Sequence, residues 1–167
     1  MSGSSVKDII RCVPKNQSHI NDFCDSEGSI LIELHSGDII AFYNQDELNS
    51  ITLWLEKSEK GEVNENDYFL YDEDFLILRA TETQESIVKE ILNQVIISLD
   101  VIYQHKHRNH KYDELPNEVG LIIGFQNMKF LSLSHYVFSK SNDFEVCILN
   151  KYPMLNHDIY SVGSKTS

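Results

Sequence analysis

TETQESIVKEILNQVIISLDVIYQH, Thr81 to His105, is the stretch whose reading decides the fold. Ile87, Val88, Ile91, Leu92, Val95, Ile96 and Leu99 recur at spacings of one, three and four, which lays an apolar stripe along one face of a helix. Thr81 and Gln84 stand at capping-box spacing, a hydroxyl to receive an orphan N–H and an amide three residues on to reach back. Glu82 and Glu85 fall in the first turn, where the helix dipole favours negative charge. Lys106, Arg108 and Lys111 lie at or beyond the far end, where it favours positive charge. Neither Gly nor Pro interrupts the run. The sequence therefore predicts one long helix over about residues 81–105.

Upstream of it, Ser29–His35 and Ile39–Tyr43 read as strands of a hairpin turning at Ser36-Gly37-Asp38. Asp67–Tyr71 and Phe75–Ala80 form a second hairpin pattern around Asp72-Glu73-Asp74. Val6–Val13 fits a short helix ending before Pro14. Ser50–Leu55 is ambiguous: Ile51, Leu53 and Leu55 alternate as in a strand, while Leu48, Ile51 and Leu55 suit a helix. A helical turn followed by a strand is preferred; Trp54 then faces solvent or a partner, whereas the helical alternative packs it in the core. Downstream, Val119–Phe125, Lys129–Phe138 and Phe144–Leu149 read as strands. No internal repeat is visible. The expected order is β-β-(turn or helix)-β-β-β-α-β-β-β. That is an α+β fold, a mostly antiparallel sheet packed against one long helix. Its length suits a single domain over residues 1–167, with the N-terminal segment and the C-terminal tail less ordered.

Charge narrows the function classes. Fourteen Lys and Arg against twenty-six Asp and Glu give −12. Between Asn44 and Glu85, twelve acidic residues face only Lys57, Lys60 and Arg79, so −9 of that charge sits in about a quarter of the chain. Such a surface repels nucleic acid, whose binding relies on Lys and Arg displacing counterions, and attracts a basic protein. The apolar runs are interrupted too often for a transmembrane helix, and the N-terminus lacks the order of a signal peptide. Three Cys without a CxxC pair point to reduced thiols and a cytoplasmic setting.

No catalytic signature is present: no GxSxG, P-loop, GxGxxG or HExxH. Ser134 and His135 are adjacent in a strand, so they point to opposite faces and form no dyad. His105, His107 and His110 have a spacing that could hold zinc, but Lys106, Arg108 and Lys111 interleave and oppose a cation. A cationic finish to the helix, or a basic loop docked on the acidic half, accounts for them. The expectation is a non-enzyme without metal or cofactor. The candidate partner-binding residues are Glu62, Glu65, Asp67, Tyr68, Tyr71, Asp72, Glu73 and Asp74, which mix carboxylates with aromatic anchors on and before one hairpin. A charged edge that prevents sheet-to-sheet pairing, or simple solubility, would produce the same composition.

With its stretches HSGDIIAFY and NDYFLYDEDFLILRA, this small, acidic, cysteine-poor chain resembles the immunity proteins of bacterial contact-dependent growth inhibition and related polymorphic toxin systems. The resemblance implies a cytoplasmic inhibitor of a cognate toxin, commonly a cationic nuclease domain, whose active site the acidic face would cover. A small-ligand or regulatory domain with a pocket between helix and sheet is the alternative.

Overall fold

In the computed structural model, the described residues are 3–16, 23–24, 26, 28–45, 50–58, 60–61, 73–103, 118–135, 144–154 and 158–161. Among the described residues, ten strands form two antiparallel sheets. The first contains β1 (Val6–Pro14), β2 (Ser29–Leu34), β3 (Ile39–Gln45), β4 (Ser50–Lys57) and β5 (Phe75–Arg79), in the order β4-β3-β2-β1-β5. The second contains β6 (Ile96–Tyr103), β7 (Glu118–Phe125), β8 (Phe130–His135), β9 (Phe144–Leu149) and β10 (Asp158–Ser161), in the order β10-β6-β7-β8-β9. Alternation drives the packing. Ile9, Ile30, Ile32, Ile40 and Phe42 of the first sheet meet Leu121, Ile123, Leu131, Leu133 and Val146 of the second in one core between the sheets. On the outer face of the first sheet, Ile10, Cys12, Leu31, Ile39 and Ala41 form a second buried cluster.

The expected long helix is absent over residues 81–103, so the α+β assignment, a mostly antiparallel sheet packed against one long helix, is corrected to a mostly-β one of two antiparallel sheets. Among the described residues only Ser86–Lys89 is α-helical (α1), and its N-cap Glu85 makes no side-chain cap hydrogen bond. Thr81 does not cap it either: its hydroxyl bonds Asp8 Oδ2. Asn93, at φ 61°, leaves the helical path, and β6 follows almost at once. Residues of the apolar stripe stay inside, but by another route. Val88 and Ile91 are buried from the helical turn and the bend after it, while Leu99 and Val101 reach the core from a strand. The sequence from Ser98 to Tyr103 carries its own period of two, with Leu99 and Val101 inward and Asp100 and Ile102 outward. Val95, Ile96, Ile97, Val101 and Ile102 are β-branched, which suits an extended chain flanked by partners. Here β6 has one on each side, β7 and β10. Val6–Val13 is likewise a strand rather than a helix, and Ser50–Lys57 is extended throughout.

A repeat that the sequence hides is plain in the hydrogen bonds. Each half is a four-strand meander whose fifth strand returns beside the first. Asn93 N–H donates to Val6 O (2.7 Å) as Gly3 N–H donates to Ile96 O (2.8 Å). Val6 N–H donates to Gln94 O (3.0 Å) as Ile96 N–H donates to Ser4 O (2.9 Å). The Ser5–Val95 bridge lies between these pairs and joins the halves. Both first strands shift register at matching places, between Val6 and Asp8 and between Ile96 and Ser98. The β2–β3 and β7–β8 hairpins also match: Leu34 N–H donates to Asp38 O and Gly37 N–H to Leu34 O, as Phe125 N–H does to Lys129 O and Met128 N–H to Phe125 O. Each is a three-residue loop closed by a left-handed residue, Gly37 in one and Met128 in the other. Only Ile32 and Ile123 are identical between Ile30–Tyr43 and Leu121–Ser134. The halves thus share a backbone pattern without a repeat in sequence.

Candidate functional site: an acidic cleft at the edge of the first sheet

The candidate site is built where β5 ends. Asp8, on β1, is 4% exposed and organises the corner. Its Oδ2 accepts from Arg79 Nη1 at 3.0 Å and from Thr81 Oγ1 at 3.2 Å, and its Oδ1 accepts from Thr81 N at 3.2 Å and from Ile9 N at 2.9 Å. Those bonds fix how the chain leaves β5. Arg79 O then accepts from the N–H groups of Glu82 and Thr83, both at 3.0 Å, which turns residues 81–85 back along the strand. Glu85 reaches across to accept the backbone N–H of Phe23.

The result is a cleft of about 290 Å³ lined by Phe23, Ile77, Leu78, Arg79, Glu82, Thr83, Gln84 and Glu85. Phe23 is 1% exposed and supplies an apolar floor. Glu82 and Gln84 stand exposed at the rim. Among the described residues, the one cation in the lining is already engaged: Arg79 lies 3.0 Å from Asp8 and 3.6 Å from Glu33. The field inside the cleft is therefore set by the carboxylates of Glu82 and Glu85, which suits an amine or guanidinium.

Two of the residues singled out in the sequence, Glu73 and Asp74, belong to the turn that opens β5, and both are exposed. Lys15 holds that turn: its N–H donates to Asp74 O at 3.0 Å and its Nζ to Glu73 O. Glu62, Glu65, Asp67, Tyr68, Tyr71 and Asp72 lie outside the described residues, as do His105, His107 and His110. Glu82 and Glu85 take part instead, residues that the sequence reading had spent on a helix dipole. The signal that could have found them is their place directly after an apolar strand.

Not all of the acidic tract is surface. Glu56 is fully buried and accepts from Trp54 Nε1 at 2.7 Å. Trp54 faces opposite Leu53 and Leu55, as the strand reading required, but it packs half-buried on the outer cluster of the first sheet rather than in open solvent. Leu53 and Leu55 are about half exposed, at 51% and 52%.

A second polar anchor lies on the outer face of the second sheet. Tyr152, in the segment after β9, stacks edge-on against Phe130 with ring centroids 5.5 Å apart. Its hydroxyl donates to Asp100 Oδ2 at 2.9 Å. Burial, then the hydrogen bond to Asp100, then the Asp100 charge push the Tyr152 hydroxyl up to about 12. This ties the segment leaving β9 to β6.

Among the described residues, no group of three His, Cys, Asp or Glu could hold a metal ion. Cys12, Cys24 and Cys147 form no disulfide among the described residues; Cys12 is buried and the others are half-buried. No helix among the described residues is long and apolar enough to cross a membrane. No known protein family, curated protein or solved structure matches this chain.

Proposed function

We propose that this chain is an immunity protein that binds and neutralises a cognate toxin domain, a cationic nuclease, by covering its active site with an acidic surface. The observation that carries the reading is the β5 corner. Among the described residues, Glu82 and Glu85 line a cleft whose one cation, Arg79, is engaged by Asp8 and Glu33, and Glu73 and Asp74 stand exposed at the turn that opens the same strand. The net charge of −12 extends that field over the molecule. Charge of this sign speeds encounter with a basic protein and orients it, while the apolar floor at Phe23 gives a side chain somewhere to bury. The setting that goes with this reading is the cytoplasm, where a delivered toxin would act.

The test is to mix the purified chain with the toxin domain encoded beside its gene and measure nucleic-acid cleavage. Stoichiometric loss of cleavage is the expected result. Reversing Glu73 and Asp74 to Lys, alone and with Glu82→Lys, slows association by more than about tenfold at low salt. Cleavage that continues at a several-fold excess of this chain overturns the reading.

A further inference from the structure

Because the two halves share their registers, the same corner occurs twice in the molecule. Asp8 pairs with Glu33 as Ser98 pairs with Gly124, and Ile10 pairs with Arg79 as Asp100 pairs with Ser161. In the first half this corner is ionic: Lys7 lies 2.6 Å from Glu33, and Arg79 lies 3.0 Å from Asp8 and 3.6 Å from Glu33. In the second half the places of Lys7, Asp8, Glu33 and Arg79 are taken by Ile97, Ser98, Gly124 and Ser161. A charge stands instead at Asp100, where the first half has Ile10. Asp100 is 4% exposed. Its Oδ2 accepts from Tyr152, while its Oδ1 is buried and has no hydrogen-bond partner among the described residues. A buried carboxylate oxygen left unpaired is costly, so this one calls for a donor.

The surface beside it is apolar. Ile97, Met128, Tyr152 and Met154 are four of the seven large apolar side chains exposed among the described residues. Hydrogen bonds gather the segments that carry them. Gln126 N–H donates to Val95 O at 3.0 Å, which sets the β7–β8 turn beside the start of β6. Lys129 Nζ donates to Asn150 Oδ1, which sets the same turn beside the segment after β9. Tyr152 then rests edge-on against Phe130. Adaptable methionines and an aromatic ring around one buried carboxylate are what the centre of a protein interface uses.

We propose that this corner is a contact surface for a basic partner protein, which inserts a lysine whose ammonium donates to Asp100 Oδ1 and whose stem packs against Tyr152, Met128 and Met154. Oδ1 is covered in the free chain, so the Tyr152 segment shifts to admit the ammonium. Lysine fits better than arginine, because a guanidinium seeks both carboxylate oxygens and Tyr152 already holds one. A second copy of this chain is a poor occupant: two −12 molecules repel one another, and the same charge draws a basic protein in. The proposal does not rest on the inhibitor reading, whose cleft is built on the first sheet.

The probes are the blocked tripeptide Ala-Lys-Ala and its counterparts with norleucine or Nε-acetyl-lysine at the centre, each titrated into the full chain. Backbone-amide and methionine-methyl NMR signals are the readout. The lysine probe is expected to shift the Asp100, Phe130 and Tyr152 amides and the Met128 and Met154 methyls along one saturation curve. The two uncharged probes bind at least about tenfold more weakly. Asp100→Asn, which keeps an acceptor for Tyr152, costs the lysine probe about tenfold in affinity. Met154→Ser, at a fully exposed position that leaves the fold alone, weakens all three probes and leaves the preference for charge intact. Equal binding of charged and uncharged probes, an Asp100→Asn variant that binds the lysine probe unchanged, or no saturable shift at Asp100 overturns the proposal. So does self-association of the free chain that shifts the same signals.

Discussion

Replacing Asp8 with Ala tests whether one buried carboxylate holds the corner that forms the cleft. Asp8 accepts four hydrogen bonds, from Arg79 Nη1, Thr81 Oγ1, Thr81 N and Ile9 N. Removing one partner of a buried, hydrogen-bonded charge pair costs about 3–5 kcal/mol. The low end applies here, because the Arg79 side chain is 35% exposed and has Glu33 at 3.6 Å to turn to. The expected loss is about 3 kcal/mol, a large fraction of the roughly 5–15 kcal/mol that stabilises an ordinary domain. Asp8→Asn should come close to the same loss, since an amide nitrogen in place of one oxygen faces donors with a donor. The assay is urea unfolding by intrinsic fluorescence, with Lys7→Ala as the control. Lys7 pairs with Glu33 at 2.6 Å but its side chain is 55% exposed, so its removal should cost less than about 1 kcal/mol. Amide exchange in Asp8→Ala should also accelerate at Thr81, Glu82 and Thr83 before it does in β2 or β3. A loss below about 1 kcal/mol, or faster exchange spread evenly over the sheet, would refute the view that Asp8 organises this corner.

Three further outcomes follow from geometry. Gly28→Ala should destabilise by at least about 3 kcal/mol in thermal or urea unfolding, because Gly28 sits at φ +116° and an added Cβ would lie 2.0 Å from Cys12 O of β1. Met128→Gly should raise stability by about 1 kcal/mol: Met128 is 66% exposed and holds φ 63° at the place where the matching hairpin has Gly37, so relief of a left-handed side chain outweighs the little packing lost. In a spectrophotometric titration at alkaline pH, one tyrosine should ionise near pH 12 and vanish from the curve in Tyr152→Phe. The sign is fixed by linkage. The unfolded tyrosine ionises near the ordinary phenol value of 10.0 and the folded one near 12, so its contribution to stability is complete below pH 10 and is lost as pH rises toward 12.

The hairpin of β2 and β3 was legible because its information is local. Ile30, Ile32 and Leu34 alternate, Gly37 permits the left-handed turn, and Ile40 and Phe42 resume the pattern. The strands from Val119, Lys129 and Phe144 were legible for the same reason. The acidic character of the chain is likewise written in its composition, along with the absence of catalytic signatures. Thr81–His105 was misread because a spacing of three and four describes a helical face, yet those same apolar residues can be buried by one helical turn, a left-handed Asn93 and a strand. The choice rests with the neighbours: β7 and β10 flank Ile96–Tyr103 and satisfy its backbone, which no window on the sequence contains. Val6–Pro14 was misread for a related reason, since buried on both faces it shows almost no alternation.

By itself, the sequence determined that this is an acidic, β-prone chain with charge concentrated before its midpoint. Only the tertiary structure decided where that charge acts. It buries Glu56 beneath Trp54, uses Asp8 to hold the exit of β5, and brings Glu82 and Glu85 to the same cleft as Ile77 and Phe23. It also decided the two-fold likeness of the halves, which survives in paired backbone bonds after nearly all matching side chains have diverged. The physical reason is common to both. A carboxylate costs or contributes according to what surrounds it, and a strand forms according to what lies beside it, so both depend on residues far away in the chain.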